Sequence, residues 1–105
     1  MADAPLVVHD NRDLLRYEIE INGAFAILQY RQRDDAIVLA HTEVPDAFRG
    51  RGFANLLARH ALEEARSAGT RVVVRCPFVT SYIRRHPEYN ALVETSNTDN
   101  DDQGR

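Results

Sequence analysis

Residues 15–85 read as an α/β domain on one mixed sheet: an antiparallel three-strand meander, then a βαβ unit and a short C-terminal helix. Apolar residues first recur at every second position around a tight-turn signal, and further on they recur at spacings of three and four. Leu15, Tyr17, Ile19 and Ile21 alternate with Arg16, Glu18 and Glu20, the pattern of a strand with one buried face. Asn22-Gly23 follows, a dipeptide that accepts the positive φ angles of a hairpin turn, so 24–32 should return antiparallel with Phe25 and Ile27. A polar turn at Arg33-Asp34-Asp35 leads into a third, largely buried strand over 36–44, which Pro45 ends because proline cannot donate to a ladder. From Gly52 to Ala68 the spacing of Phe53, Leu56, Leu57, Ala61, Leu62 and Ala65 is helical, and Gly69 supplies the stop. Val72-Val73-Val74, bracketed by Arg71 and Arg75, is too short for a helix and reads as a strand parallel to the third. A second helix fits 78–85 after Cys76-Pro77, and Pro87 halts it.

At 105 residues the chain holds one domain, placed at 1–93, followed at 94–105 by an acidic segment expected to be a disordered tail. With 44% hydrophobic and 28% charged residues the composition is globular. No apolar run reaches the ~20 residues of a membrane span, and the start lacks a basic region followed by an apolar one, so the expected compartment is the cytoplasm. The single cysteine, Cys76, excludes an internal disulfide and a Cys-rich metal site, and His9, His60 and His86 show no ligand spacing. The formal charge of −3 resides in the last twelve residues, so the body is neutral. That balance argues against a nucleic-acid surface, even with Arg49, Arg51, Arg84 and Arg85 present.

The chemistry points to residues 44–54, Val-Pro-Asp-Ala-Phe-Arg-Gly-Arg-Gly-Phe-Ala, between a strand and the start of the longest helix. Gly50 and Gly52 let a ligand approach the backbone, and the unpaired amides of a first helical turn favour an anion. Arg49 and Arg51 would add charge-assisted bonds. The plain alternative is a glycine-softened loop with two solvated arginines, in which Asp46 forms the turn.

Arg49-x-x-Gly52-x-Ala54, preceded by a strand ending in Val44-Pro45 and followed by a long amphipathic helix, resembles the acyl-CoA pyrophosphate loop of the GNAT family of N-acetyltransferases. The likeness runs from about Leu15 to Tyr89, and His41-Thr-Glu-Val-Pro through Cys76-Pro is most similar to the small, single-domain GNAT-like group, which keeps the cofactor half of the fold. The resemblance implies a minimal GNAT-like fold with acetyl-CoA as cosubstrate and no metal. It implies that amides from Arg49 through Gly50, Arg51, Gly52 and Phe53 to Ala54 hold the pyrophosphate. Main-chain groups of Thr42 and Val44 would bond the pantetheine arm in a gap facing Arg75-Cys76. It further implies His41 and Cys76 as the catalytic pair, base and nucleophile or acid. Read without the family, a histidine within an apolar strand such as His41 is more often a packed core residue than a base, and a free cysteine such as Cys76 is commonly a small buried hydrophobe. Cys76 does precede a helix start and adjoin Arg75, two features that raise a thiol's reactivity. The family's proton-donating tyrosine has its counterpart in Tyr82-Ile83-Arg84-Arg85, one place early. One residue turns a helix about 100°, which aims Tyr82 at the core.

The implied activity is acetyl transfer to an amine acceptor, directly or through an acetyl-Cys76 intermediate, with a homodimer or a macromolecular acceptor able to complete the site. The alternative is a non-catalytic acyl-CoA-binding or protein-interaction module of the same fold, because no helices separate the first two strands to grip an acceptor.

Overall fold

The computed structural model describes residues 7–94. Its sheet runs in the order β1 (His9–Asn11), β2 (Arg16–Ile21), β3 (Ala24–Arg33), β4 (Ala36–Glu43) and β5 (Arg71–Val74). Neighbours from β1 to β4 are antiparallel, and β5 lies parallel to β4. Two helices, α1 (Phe53–Ala68) and α2 (Pro77–Arg85), and two 3-10 turns at Asp46–Phe48 and Pro87–Leu92 complete it. The mixed α/β sheet expected from the sequence is therefore present, with one more strand at its start. β1 escaped notice because His9-Asp10-Asn11 is short and polar, with no alternation to read.

Local chemistry fixes the boundaries. Asn22 and Gly23 take φ of 51° and 84°, and Ile21 pairs with Ala24 across them, which closes the hairpin where the dipeptide predicts. Gly69 at φ 67° ends α1, its amide bonding back to Ala65 and Arg66. Glu94, counted with the acidic tail in the sequence, belongs to the body instead. Its amide donates to Val72 O at 2.8 Å, its carboxylate meets Arg33 at 3.2 Å, and Val93 beside it bridges to Val72. The remainder of the expected tail, from residue 95, lies outside the described residues.

Period two on the strands and 3.6 on α1 put one core between them. Tyr17, Ile19, Leu28, Ile37, Leu39 and Val72 meet Leu57, Ala58, Ala61 and Leu62 of α1, and α2 adds Val79 and Ile83 to the same cluster. A smaller cluster of Ala36, Val38 and Val73 sits on the opposite face. Leu57 and Leu62 are fully buried, so truncating either to alanine should cost about 2 to 5 kcal/mol, read by urea unfolding.

Glu18 is the one charged residue in the described core, 6% exposed. Burial pushes its carboxyl up, but hydrogen bonds from Arg16 Nε at 2.6 Å and Asn11 Nδ2 at 2.9 Å, with the charges of Arg16 and His9, bring it below the ordinary 4.5. A carboxyl lowered by folding stabilises the native state fully above its unfolded value, and that contribution fades as the pH falls through the lowered value. Glu18→Gln should therefore cost about 1 to 3 kcal/mol at neutral pH. Urea titrations at descending pH should show the variant converging on the parent in acid.

Candidate functional site

The site begins where β4 and β5 part. Their parallel register holds from Ala36 opposite Arg71 to Leu39 opposite Val74. The Leu39 carbonyl then receives two amides, Arg75 at 2.9 Å and Cys76 at 3.2 Å, and among the described residues no later backbone bond joins the two segments. At the same point β4 carries a bulge against β3: Gln29 pairs with His41 but Tyr30 pairs with Leu39, leaving Ala40 as the extra residue. A bulge bends its strand and shifts alternation by one. The bent end of β4 consequently runs on from Ala40 to Glu43 without β5 beside it.

That shift decides which side chain faces the slot. Thr42 lies opposite Leu28, a residue of the helix-side core, so Thr42 shares the face of α1 and α2. Its Oγ1 stands 3.1 Å from Cys76 Sγ, across the gap. His41, opposite Gln29, points the other way, with a side chain 56% exposed and 3.9 Å from Glu43. The structure thus places His41 and Cys76 on the two expected segments without bringing them together: the side chain beside Cys76 is Thr42. Cys76 itself is 3% exposed. Its carbonyl takes the Thr80 amide at 3.1 Å and the Thr80 hydroxyl at 3.2 Å, which ties it to the first turn of α2. Tyr82 is core, as its position on the helix predicts, stacking on His86 at 4.2 Å between ring centroids, with burial raising its hydroxyl above the ordinary value.

Beyond β4 the chain makes one 3-10 turn and then the glycine loop. Gly50 and Gly52 have φ of 77° and 86°, and a Cβ built on either would meet nothing within 4 Å. Both face open space in a backbone shape that side chains resist. Arg49 donates its amide to Asp46 O and Leu56 donates to Gly52 O, whereas the amides of residues 50–55 have no acceptor among the described residues. Six consecutive free donors at the positive end of α1 form a cradle for an anion. Arg49 Nε sits 3.1 Å from Asp46 Oδ1, and Arg51 lies over the Phe48 ring. Both guanidiniums stay at the rim of the loop.

The cradle opens into a cleft of about 540 Å³ lined by His41, Thr42, Glu43, Val44, the loop from Phe48 to Asn55 except Arg51, and Phe78 of α2. Phe48 and Phe53 meet edge to face at 6.0 Å, and with Phe78 they give the cleft an apolar side. Phe48, Phe78 and Asn55 are lining residues that sequence reasoning did not single out, and for Phe53 and Thr42 it pointed to main-chain groups and not to the side chains that line the cleft. Phe48, an aromatic inside a glycine loop, was the available signal. Cys76 is absent from the cleft lining and reaches it only behind Thr42.

A sheet that parts at a bulge, beside an amide cradle at the start of the following helix, defines an acyltransferase-type α/β domain of the GCN5 kind. The chain belongs to the GCN5-related N-acetyl-transferase family, which it matches over residues 16–92. Protein NATD1 of Mus musculus is 35% identical over 86 residues, covering 79% of this chain and 78% of that one. The Bos taurus protein of the same name is 36% identical over 86 residues, covering 79% and 76%. Among solved structures, a GCN5-like protein from Staphylococcus aureus, determined by NMR, superposes with a TM-score of 0.66 at 24% identity over 85% of this chain and 88% of that one, which shows the shared fold.

The position of Cys76 behind Thr42 has a chemical consequence. Native protein should react with iodoacetamide about tenfold or more slowly than urea-unfolded protein, and Thr42→Gly should recover much of that rate. Mass spectrometry of timed samples measures both.

Proposed function

We propose that the chain transfers an acetyl group from acetyl-CoA to an amine acceptor. The observation that carries this reading is the run of free amides at 50–55, placed at the mouth of a cleft that leads to the parted strands. The residues present fit the cosubstrate. Amides from Gly50 to Ala54, with Arg49 and Arg51 at the rim, would hold its pyrophosphate. Main-chain groups of Thr42 and Val44 would bond the pantetheine arm as a surrogate strand in the slot that β5 leaves empty. Phe48, Phe53 and Phe78 would shed water from its apolar length.

Acetyl transfer needs a base for the amine, a donor to the developing oxyanion and a proton for the departing sulfur. His41 borders the cleft from the face of β4 opposite to Thr42, open to solvent, and from that side takes the proton the amine loses as its nitrogen bonds the carbonyl carbon. Thr42 faces the slot with Cys76 at its back, so its hydroxyl hands a proton to the sulfur as the carbon–sulfur bond breaks. Cys76 resupplies Thr42, and its thiolate recovers a proton from solvent through the Thr42 hydroxyl once the CoA thiol has left; the proton held on His41 leaves to solvent, so the enzyme ends each turnover in its starting protonation state. Burial of the thiol behind Thr42 favours this direct route over an acetyl-Cys76 intermediate. A second reading, binding of acyl-CoA without turnover, draws support from the hairpin at Asn22-Gly23, which leaves no insertion between β2 and β3 to hold an acceptor.

Acetyl-CoA at 100 times its dissociation constant should raise the unfolding free energy by ~2.7 kcal/mol, seen as a higher melting temperature. An unmoved melt sinks both readings, and a shifted melt without thiol release on any amine leaves only binding. Gly52→Asp should abolish the shift, whereas Gly52→Ala, which shares the backbone strain without the charge, should keep part of it. Thr42→Val should lower turnover by about 100-fold with acetyl-CoA affinity within a few-fold of the parent. Intact mass after incubation should show no acetyl adduct on Cys76.

A further inference from the structure

A second cavity, of about 330 Å³, lies at the other end of α1, between its C-terminal half and strands β2 and β3. Glu64, on its wall, is eleven residues from Phe53, about 16 Å along the helix axis, so this space is separate from the amide cradle. Leu15, Ile37, Ala61, Ala65 and Ala68 give it an apolar body, and Asp10, Arg12 and Glu64 stand at its edges. Two tyrosines line it, with ring centroids 5.1 Å apart and planes tilted by 44°.

The two phenols differ in one respect. Tyr30 donates its hydroxyl to Asp10 Oδ1 at 2.6 Å. Tyr17 is 5% exposed, yet its hydroxyl has no hydrogen-bond partner among the described residues. A buried polar group left unpaired costs about 1 to 3 kcal/mol, and such groups in native proteins call for an explanation. The explanation lies in the surroundings. Burial first, then the charges of Asp10 and Glu64, push the Tyr17 hydroxyl up to about 12, and Arg12 opposes them. Those three charged residues all line the cavity, so the hydroxyl stands among its polar groups. Asp10 is already engaged, by Tyr30 and by Arg12 at 3.3 Å. Among the described residues Glu64 has His60 as its one ion-pair partner, at 3.8 Å, and its side chain is 61% exposed. The wall therefore offers one carboxylate with spare acceptor capacity, one phenol oxygen with free lone pairs, two aromatic rings and a net negative charge. A site of that kind suits a cation on a short apolar stem.

We propose that this cavity binds the ammonium end of an alkylamine, with the Glu64 carboxylate and the Tyr17 oxygen accepting its N–H groups and the stem lying against Ala61, Ala65 and Ile37. The site is independent of the acetyl-transfer reading, and its test needs no acetyl-CoA. Butylammonium chloride is titrated into the protein and followed by amide 1H–15N shifts, with sodium chloride at equal ionic strength and n-butanol as controls. Saturable shifts at Tyr17, Ala61, Glu64 and Ala65, absent with both controls, are expected. Glu64→Gln, on an exposed position, should weaken binding about tenfold. Tyr17→Phe, which keeps the ring and removes the unpaired hydroxyl, should weaken it several-fold while leaving the melting temperature equal or higher. Absence of saturable shifts, equal response to n-butanol, shifts confined to residues 50–54, or unchanged affinity in Glu64→Gln each overturns the proposal.

Discussion

The Leu39 carbonyl takes the amides of both Arg75 and Cys76, and with that pair the parallel ladder stops. Everything distinctive about the upper half of the molecule follows from where it stops. The extra residue Ala40 bends β4 at the same level, so one strand continues alone while its former neighbour turns into α2. Backbone groups left without a partner inside a sheet call for another one, and on the proposed function the side of β4 that β5 leaves would take an extended amide-bearing ligand. Without the bulge's shift of alternation His41, in place of Thr42, would share the face of α1 and α2.

The cradle and the slot are joined by short connections. From Glu43 the chain reaches Gly52 through a single 3-10 turn, and Pro45, the Asp46 to Arg49 bond and the edge contact of Phe48 with Phe53 fix its path. The distance between the phosphate-type donors and the parting point is thereby set by covalent geometry, so a ligand engaging the loop meets the slot at a constant depth. On the far side, Cys76 is pinned through its amide, its carbonyl and its sulfur. Such a residue keeps its place without needing a ligand to order it.

Much of this was legible in the sequence. The hairpin could be read because Asn22-Gly23 has few other uses, and α1 because six apolar residues keep one face over four turns. The loop could be read because glycines at 50 and 52 stand immediately before a helix. The bulge could not. Residues 36–40 are apolar without interruption, since Ile37 and Leu39 feed one cluster while Ala36 and Val38 feed the other. A run buried on both faces carries no alternation, so a one-residue slip inside it leaves no trace in the pattern. For that reason His41 and Thr42 exchanged the faces that simple counting from Ile37 assigns them. The 3-10 turn over Pro87–Leu92 was missed for a different cause: Pro87 reads as a stop, yet its ring also suits a first turn, and Tyr89 anchors that turn by donating to Glu63 at 2.6 Å.

The ends of the sheet carry a consequence for how the molecule behaves among its own copies. β1 spans three polar residues, and the outer side of the four-residue β5 is met by Val93 and by the Glu94 amide. Among the described residues, neither of these two margins offers a long row of unsatisfied backbone groups, which is the template that lets sheets fuse into fibrils or exchange strands. A second copy approaching either of these margins would find, among the described residues, few backbone groups free to pair.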